Sequence, residues 1–403
     1  MPDASALFDS RWKNNPYPLY AQLRSDNPVA QLHDTRYYFI SRYDDLLSVV
    51  KSPTVFSSRV PGFLRLQDDG AIAFQDSPDS DSAGGILGAE DPPLHTEQRK
   101  ALSGIFNRRV KQLEPQLAQY CDELVNNLPR NQSFDFMRRC ARDVPSWATC
   151  TLLGIPLAMQ TQLSEWAYRV IKLMLGNTSD AAFISSGEAG LNLQIYLDQF
   201  LAEAERTPAD DLTGDLVSLV KSRNLKRNTA LGMLLQLVVG GADTTASWIG
   251  NSLLLLMREP GQIEAINSDD TLAALLEETL RLETPSQGNY RIVTEQVTLR
   301  NTVLPEGSIL VLLWGSANRD DSVYRDPDQI KLQRQPPQHV GFGRGIHACL
   351  GANLARLETR AIYRALAPLL PRLCPEDNVE QPTWTESLFS RQLDSLQVRL
   401  NAQ

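Results

Sequence analysis

The strongest hydrophobic pattern in the chain runs from about Arg227 to Glu259. Leu231, Met233, Leu234, Leu235, Leu237, Val238 and Val239 leave no polar face in its first half. A helix apolar on nearly every side belongs in an interior. At 1.5 Å per residue it would span on the order of 50 Å, with two poor helix formers, Gly240 and Gly241, side by side near its middle. A second helix is predicted over Thr271 to Glu283. After Pro285 the pattern shortens to strands at Tyr290 to Thr294, Gln296 to Arg300 and Ser308 to Leu313, the last following the turn Leu304-Pro-Glu-Gly307.

From Pro93 to about Glu205 helical patterns dominate, with Pro129, Pro145 and Pro156 each expected to end or start a helix. Gln67 to Glu90 is rich in Asp, Ser and Gly, lacks periodicity, and predicts a mobile loop of the kind that covers binding sites. Helix returns after Cys349, and alternation reappears around Leu393 to Leu400. Together these predict a mainly α fold with a small β portion, without βαβ repetition or internal repeats.

Composition narrows the function classes. The chain has 403 residues, 42% hydrophobic and 22% charged, so it can bury a large core. A net charge of −9 argues against a nucleic-acid partner, which calls for a basic stripe. The five cysteines, Cys121, Cys140, Cys150, Cys349 and Cys374, are odd in number and scattered without CxxC or zinc-like spacing. No apolar run reaches signal-peptide or membrane-span character, which predicts a cytoplasmic protein with no membrane anchor.

The segment Phe342-Gly-Arg-Gly-Ile-His-Ala-Cys-Leu-Gly351 lies between an extended stretch, Gln335 to Gly341, and a helix. A metal-binding cysteine must be a thiolate, and a helix N-terminus, where backbone N–H groups point at the sulfur, favours that state. The glycines permit tight turning and close approach to a flat ligand. A free cysteine taken alone is usually an inert buried thiol. Six fixed positions of this kind match by chance with probability on the order of 10⁻⁸ per start, given ordinary residue usage.

This FGxGxHxCxG pattern resembles the haem-binding signature of the cytochrome P450 family. The resemblance implies that Cys349 is the proximal ligand of haem b (heme, iron protoporphyrin IX), which lies between the long central helix and the cysteine loop. It also implies that Phe342 packs on the cysteine side, that Gly343 and Gly351 shape the loop, and that His347 binds a propionate. Further motifs follow in the family's order, so the resemblance covers essentially the whole chain. Glu278-Thr-Leu-Arg281 is similar to the family's ExxR pair, about 70 residues before the cysteine, and Arg334 is the expected third member of its network. Asp91-Pro-Pro-Leu-His95-Thr-Glu-Gln-Arg99 places His95 and Arg99 at i, i+4, and resembles the family's HxxxR that holds the propionates. Arg291 matches a further propionate anchor. Asn318-Arg-Asp320 and Asp326-Pro-Asp328 resemble the family's meander.

Gly240-Gly241-Ala-Asp243-Thr244-Thr245 is similar to the family's (A/G)GxDTT. An acid and hydroxyls inside an apolar helix are an awkward structural choice, since both compete with helical hydrogen bonds. The resemblance makes Gly240 and Gly241 an oxygen-binding groove and Asp243 and Thr244 the catalytic proton-delivery pair, with the glycines letting the helix open to a water. The activity implied is a monooxygenase acting on a small, moderately apolar substrate by hydroxylation, epoxidation or demethylation, within one domain spanning 1–403. A peroxide-driven peroxygenase and a non-catalytic haem sensor or carrier are the alternatives, and the Asp243-Thr244 pair speaks against both.

No flavin or nicotinamide domain is visible, so electrons would come from a ferredoxin or flavodoxin with its NAD(P)H reductase. Arg108, Arg109, Lys111, Arg344, Arg356 and Arg360 are candidates for a docking patch. By family position Val239, Gly240, Gln287, Leu388, Phe389 and the Arg59 to Phe74 loop would line the substrate pocket, with Arg59 or Arg65 a candidate anchor for an acid.

Overall fold

The computed structural model describes residues 4–402 apart from 13, 34, 68–70, 77–85, 175–178, 335–337, 377, 381, 386 and 388. Near the N-terminus come α1 (Tyr17–Asp26), β1 (Val29–Gln31), β2 (Tyr37–Ile40), α2 (Tyr43–Val50) and β3 (Phe56–Ser57). A hairpin of β4 (Gly62–Leu66) and β5 (Ile72–Asp76) follows. Strand β5 falls inside the loop expected over Gln67 to Glu90 and corrects it there, while 68–70 and 77–85 lie outside the described residues. Apolar Leu64, Ile72 and Phe74 pair strand to strand and pack on the sheet core, a signal diluted in sequence by the Asp and Ser residues around them. A short turn of helix at Leu87–Ala89 also falls inside that expected loop.

The helical middle comprises α3 (Leu94–Asn126), α4 (Asp143–Leu153), α5 (Gln160–Met174), α6 (Asp180–Arg206) and α7 (Leu212–Lys221), with β6 (Ser133–Asp135) between the first two. Pro145 sits in the first turn of α4, where a missing N–H costs nothing. At the other end Gly154 takes a left-handed φ of 73° to close that helix. The long helix α8 (Arg227–Arg258) runs unbroken through Gly240–Gly241. It packs against α4, α5, α6, α10 and α12, which explains its all-round apolar face.

After α9 (Gly261–Glu264), α10 (Asp269–Leu282) begins with a reciprocal cap in which Ser268 and Thr271 each satisfy the other's backbone N–H. Then come β7 (Gly288–Val293), β8 (Val297–Leu299), β9 (Thr302–Leu304), β10 (Ile309–Leu313), α11 (Trp314–Ala317), α12 (Ala352–Leu366), β11 (Leu373–Pro375) and β12 (Gln397–Leu400). The main sheet has the order β1-β2-β10-β7-β3. Its central strand β10 is buried at all five positions and runs parallel to β2. An unbroken apolar run is what a strand covered on both faces requires. Strands β11, β12 and β6 form a second sheet. The result is mainly helical with a small sheet portion, as expected.

The Glu278 carboxylate on α10 organises the segment leading to the cysteine loop. Arg281 donates to it through Nε (2.8 Å) and Nη2 (3.0 Å), Arg334 through Nε (2.8 Å), and the Lys331 N–H at 3.0 Å. Arg281 also donates to the carbonyls of Asn318 and Gln329. Burial pushes the Glu278 carboxyl up, yet the two guanidiniums together hold it below the usual range. No helix among the described residues is long and apolar enough to cross a membrane.

Candidate active site

The cysteine loop is a set of tight turns that only glycine satisfies. Gly343 and Gly345 have φ of 65° and 75°, and a Cβ on Gly345 would lie 2.5 Å from the carbonyl oxygen of Val50 on α2. The Cys349 N–H donates to the Phe342 carbonyl at 2.8 Å, folding the loop back on itself. Beyond the cysteine, α12 begins at Ala352, and the N–H groups of Gly351 and Ala352 donate to the sulfur. Cys349 is exposed, and what it faces is a cavity of about 340 Å³ that it lines. That enclosed setting pushes the thiol up, opposed by the Gly351 N–H and by Arg99 and Arg356. Cys121, Cys140 and Cys150 are buried, with thiols raised chiefly by burial; at Cys140 the opposing pull of Arg139 is outweighed.

One rim of the cavity is cationic. His95, Arg99, Arg291 and His347 all line it. Both ring nitrogens of His95 and Nε2 of His347 are buried without a partner, and the two rings lie 4.2 Å apart. Burial, with Arg291, His95 and Arg99, drives His347 down to about 3. Burial lowers Arg291 to about 10 against the opposing pull of Asp91. Asp91 is itself engaged by the hydroxyl of Ser57 and the N–H of Ser58. Buried polar nitrogens left unpaired are costly, so two such histidines beside the guanidiniums of Arg99 and Arg291 on one rim fit a ligand that brings hydrogen-bonding oxygens and negative charge of its own. Among the described residues no group of three or more His, Cys, Asp or Glu could hold a bare metal ion. With Cys349 on one side and Arg99 and Arg291 on the rim, the cavity suits a metal that arrives already chelated in an anionic frame.

Helix α8 forms the opposite wall with Met233, Leu237, Gly240, Gly241, Thr244 and Thr245. The Thr244 hydroxyl donates to the Gly240 carbonyl one turn back at 2.9 Å. Asp243 does not line the cavity. It is 5% exposed and accepts a hydrogen bond from the Gln392 side-chain amide. On the cysteine side Phe342 packs edge-on to Trp248 and lies under the Arg356 guanidinium, 4.5 Å from its ring centre.

Several pocket expectations need correction. Gly240 lines the cavity, but Val239, Gln287 and Phe389 do not. Val239 lies about 100° around the helix from Gly240 and further still from Leu237 and Thr244, and it packs in the hydrophobic core. Gln287 is buried with its amide on the Thr284 carbonyl, and its neighbours Ser286 and Asn289 face the cavity instead. Phe389 packs on Tyr290, with ring centres 5.5 Å apart. Leu388 lies outside the described residues. Arg59 pairs with Glu90 at 3.5 Å and Arg65 stacks over Phe183 at 4.3 Å, and neither lines the cavity. The far wall is instead Leu87, Leu102, Phe106, Leu153 and Gln236. In the expected docking patch, Arg108 and Arg109 pair with Asp215, and Arg356 holds Glu277 in a two-point contact at 2.7 and 2.8 Å.

Glu358 is a site residue that sequence reasoning missed. It lines the cavity at 1% exposure, with one oxygen unpartnered, and burial pushes its carboxyl up to about 8 against a hydrogen bond from Thr245. The signal was available. Glu358 is a charged residue on the apolar stripe Leu354, Leu357, Ala361 and Ile362 of α12.

Comparison with known proteins agrees with this geometry. A family profile described as Cytochrome P450 matches residues 193–366. "Cytochrome P450 144" of Mycobacterium tuberculosis is 30% identical over 403 residues, covering 98% of this chain and 91% of the relative. The vitamin D(3) 25-hydroxylase of Pseudonocardia autotrophica is 31% identical, covering 98% and 96%. Among solved structures, CYP109E1 from Bacillus megaterium in complex with testosterone superposes with a TM-score of 0.86 at 27% identity, covering 98% of this chain and all of that one.

Proposed function

The chain belongs to the cytochrome P450 family, oxidoreductases that use haem, and from that premise we propose that it is a single-domain haem-thiolate monooxygenase of the cytoplasm in which Cys349 is the proximal ligand. The observation that carries the reading is Cys349 at the head of α12, beneath backbone donors, in a cavity whose rim holds two arginines and two histidines with unpartnered ring nitrogens. The net reaction inserts one oxygen atom of O2 into the substrate and reduces the other to water, consuming two electrons and two protons. The electrons come from a ferredoxin or flavodoxin and its NAD(P)H reductase.

When bound, haem supplies the redox-active iron at which dioxygen is activated. The chain's own residues do the rest. Cys349 offers its sulfur, stabilised as thiolate by the N–H groups of Gly351 and Ala352 and by the field of Arg99 and Arg356. His95, Arg99, Arg291 and His347 suit the two propionates, and Phe342, Gly343 and Gly241 shape the slot around the macrocycle. The apolar far wall keeps bulk water from the reacting centre. Thr244, on the cavity wall, has a hydroxyl that can donate a proton inward and accept one in turn, with Asp243 as the acid that resupplies it. The apolar character of the far wall supports a moderately apolar substrate, in keeping with the hydroxylase and the testosterone-bound relative.

The test is Cys349→Ser, which is expected to abolish the red-shifted thiolate-type Soret band of the reduced CO adduct. Retention of that band would mean that another cysteine is the ligand. Turnover with O2 and redox partners, rather than with peroxide alone, separates the monooxygenase from the peroxygenase and sensor alternatives.

A further inference from the structure

Helix geometry poses a question about Asp243. The α8 wall includes residues 240, 241, 244 and 245 but not residue 243, which is 5% exposed in the protein interior. A carboxylate in that setting needs a donor fixed in place. One such donor is Gln392 Nε2, on a residue itself only 1% exposed.

Gln392 is unusually well braced. Its own carbonyl accepts from the Thr385 N–H at 2.9 Å. On one side, the Arg391 carbonyl accepts from Asn251 Nδ2 on α8 at 2.8 Å, two turns beyond Asp243. The Arg391 N–H donates to the Pro285 carbonyl at 2.8 Å, and the Arg391 guanidinium holds Glu283 while stacking on Trp384 at 3.4 Å. Ser390 bridges Ser286, and Pro285 and Ser286 both line the cavity. The segment bearing Gln392 is thus stitched to the acid through α8 on one side and to the cavity wall on the other.

We propose that Gln392 is a positioning residue for oxygen activation: its amide sets the orientation of Asp243 behind the cavity wall and keeps it ready to resupply Thr244. The proposal rests on the proton-delivery reading of Asp243. A neutral amide suits the task because it orders the carboxylate through one directional hydrogen bond and brings no counter-charge of its own. The arrangement also means that a substrate bearing on Pro285 and Ser286 acts on the segment that aims the acid.

The test uses the haem-loaded enzyme with its redox partners. Gln392→Met keeps length and removes the donor, and Gln392→Asn keeps the amide but withdraws it by one methylene. Both are expected to slow O2-dependent product formation about tenfold, the scale of a hydrogen bond to a charged group. The substrate-induced spin shift and the CO band should keep their wild-type midpoint and position, which a merely structural lesion would not allow. Asp243→Asn with Gln392→Met should be no slower than Asp243→Asn alone, because the amide acts only through the acid. Additive losses in that double variant, or normal product formation in both single Gln392 variants, would overturn the proposal while leaving Asp243 its role. Normal turnover in Asp243→Asn would remove the parent reading and this one together. If the Met variant fails to retain haem, the Asn variant decides.

Discussion

Replacing Glu278 by glutamine tests the energetics behind the cysteine loop. Glu278 is 8% exposed at its side chain, Arg281 is 1% and Arg334 is 11%. In the native protein one carboxylate serves two guanidiniums and one backbone N–H. Glutamine keeps the shape but removes the counter-charge, and its amide hydrogens point at donors. Removing one partner of a buried ion pair costs about 3–5 kcal/mol, because the remaining charge stays desolvated. Against a total stability of about 5–15 kcal/mol, that is a large fraction. A matched control is Glu165→Gln, whose partner Arg169 lies at 2.5 Å one turn along an exposed helix face, with both side chains 43–49% exposed. Screening limits such a pair to about 0.3–0.5 kcal/mol. Urea unfolding followed by tryptophan fluorescence should move its midpoint far for Glu278→Gln and barely for Glu165→Gln, at unchanged slope. The sign with pH is also fixed. A carboxyl held low in the fold stabilises above its unfolded pKa and loses that contribution as pH falls through the folded value. The wild type should therefore lose its advantage over Glu278→Gln on acidification. Equal midpoints for the two glutamine variants at neutral pH would refute the buried counter-ion argument.

Three further outcomes follow from geometry already described. His95→Ala and Arg99→Ala should each speed haem loss to an acceptor protein about tenfold, the value of one charge-assisted hydrogen bond, without moving the CO band; an unchanged loss rate in the double variant would refute propionate binding there. Gly345→Ala should destabilise by about 1–3 kcal/mol from its positive φ alone, before the clash with Val50, whereas Gly104→Ala, exposed on α3 with nothing within 4 Å, should stabilise that helix by up to about 1 kcal/mol; paired thermal melts with the same sign for both would contradict this. Glu358→Gln should gain stability relative to wild type as pH rises from about 4.5 towards about 8, because over that window the folded wild type keeps a proton that the unfolded chain releases; a pH-independent difference between the two proteins would mean that the carboxyl is ionised in the fold.

What could be read from sequence was whatever the chemistry makes rigid. The cysteine loop announced itself because its backbone turns demand glycine at fixed places, and α8 because it is surrounded by other helices and so has no polar face. Features set by tertiary partners were hidden. Strand β2 is four residues long and owes its place to β10, far along the chain. Val239 and Gln287 were assigned to the pocket by position, yet a one-residue rotation on a helix or a bend before a strand decides which neighbour faces the cavity. Glu358, by contrast, was legible as a charge on the apolar stripe of α12, although only packing shows that the stripe borders the cavity.

The pairing of β2 with β10 also bears on how the chain is made. Residues 37–40 find their parallel partner only at residues 309–312. At about 5–20 residues per second the ribosome delivers that partner some tens of seconds later. Until then Tyr37, Tyr38, Phe39 and Ile40, all buried in the finished protein, present one unpaired strand edge to the cell. The nascent N-terminal quarter is thus the part most in need of a chaperone, and truncations ending before β10 should emerge as aggregates rather than as a smaller folded piece.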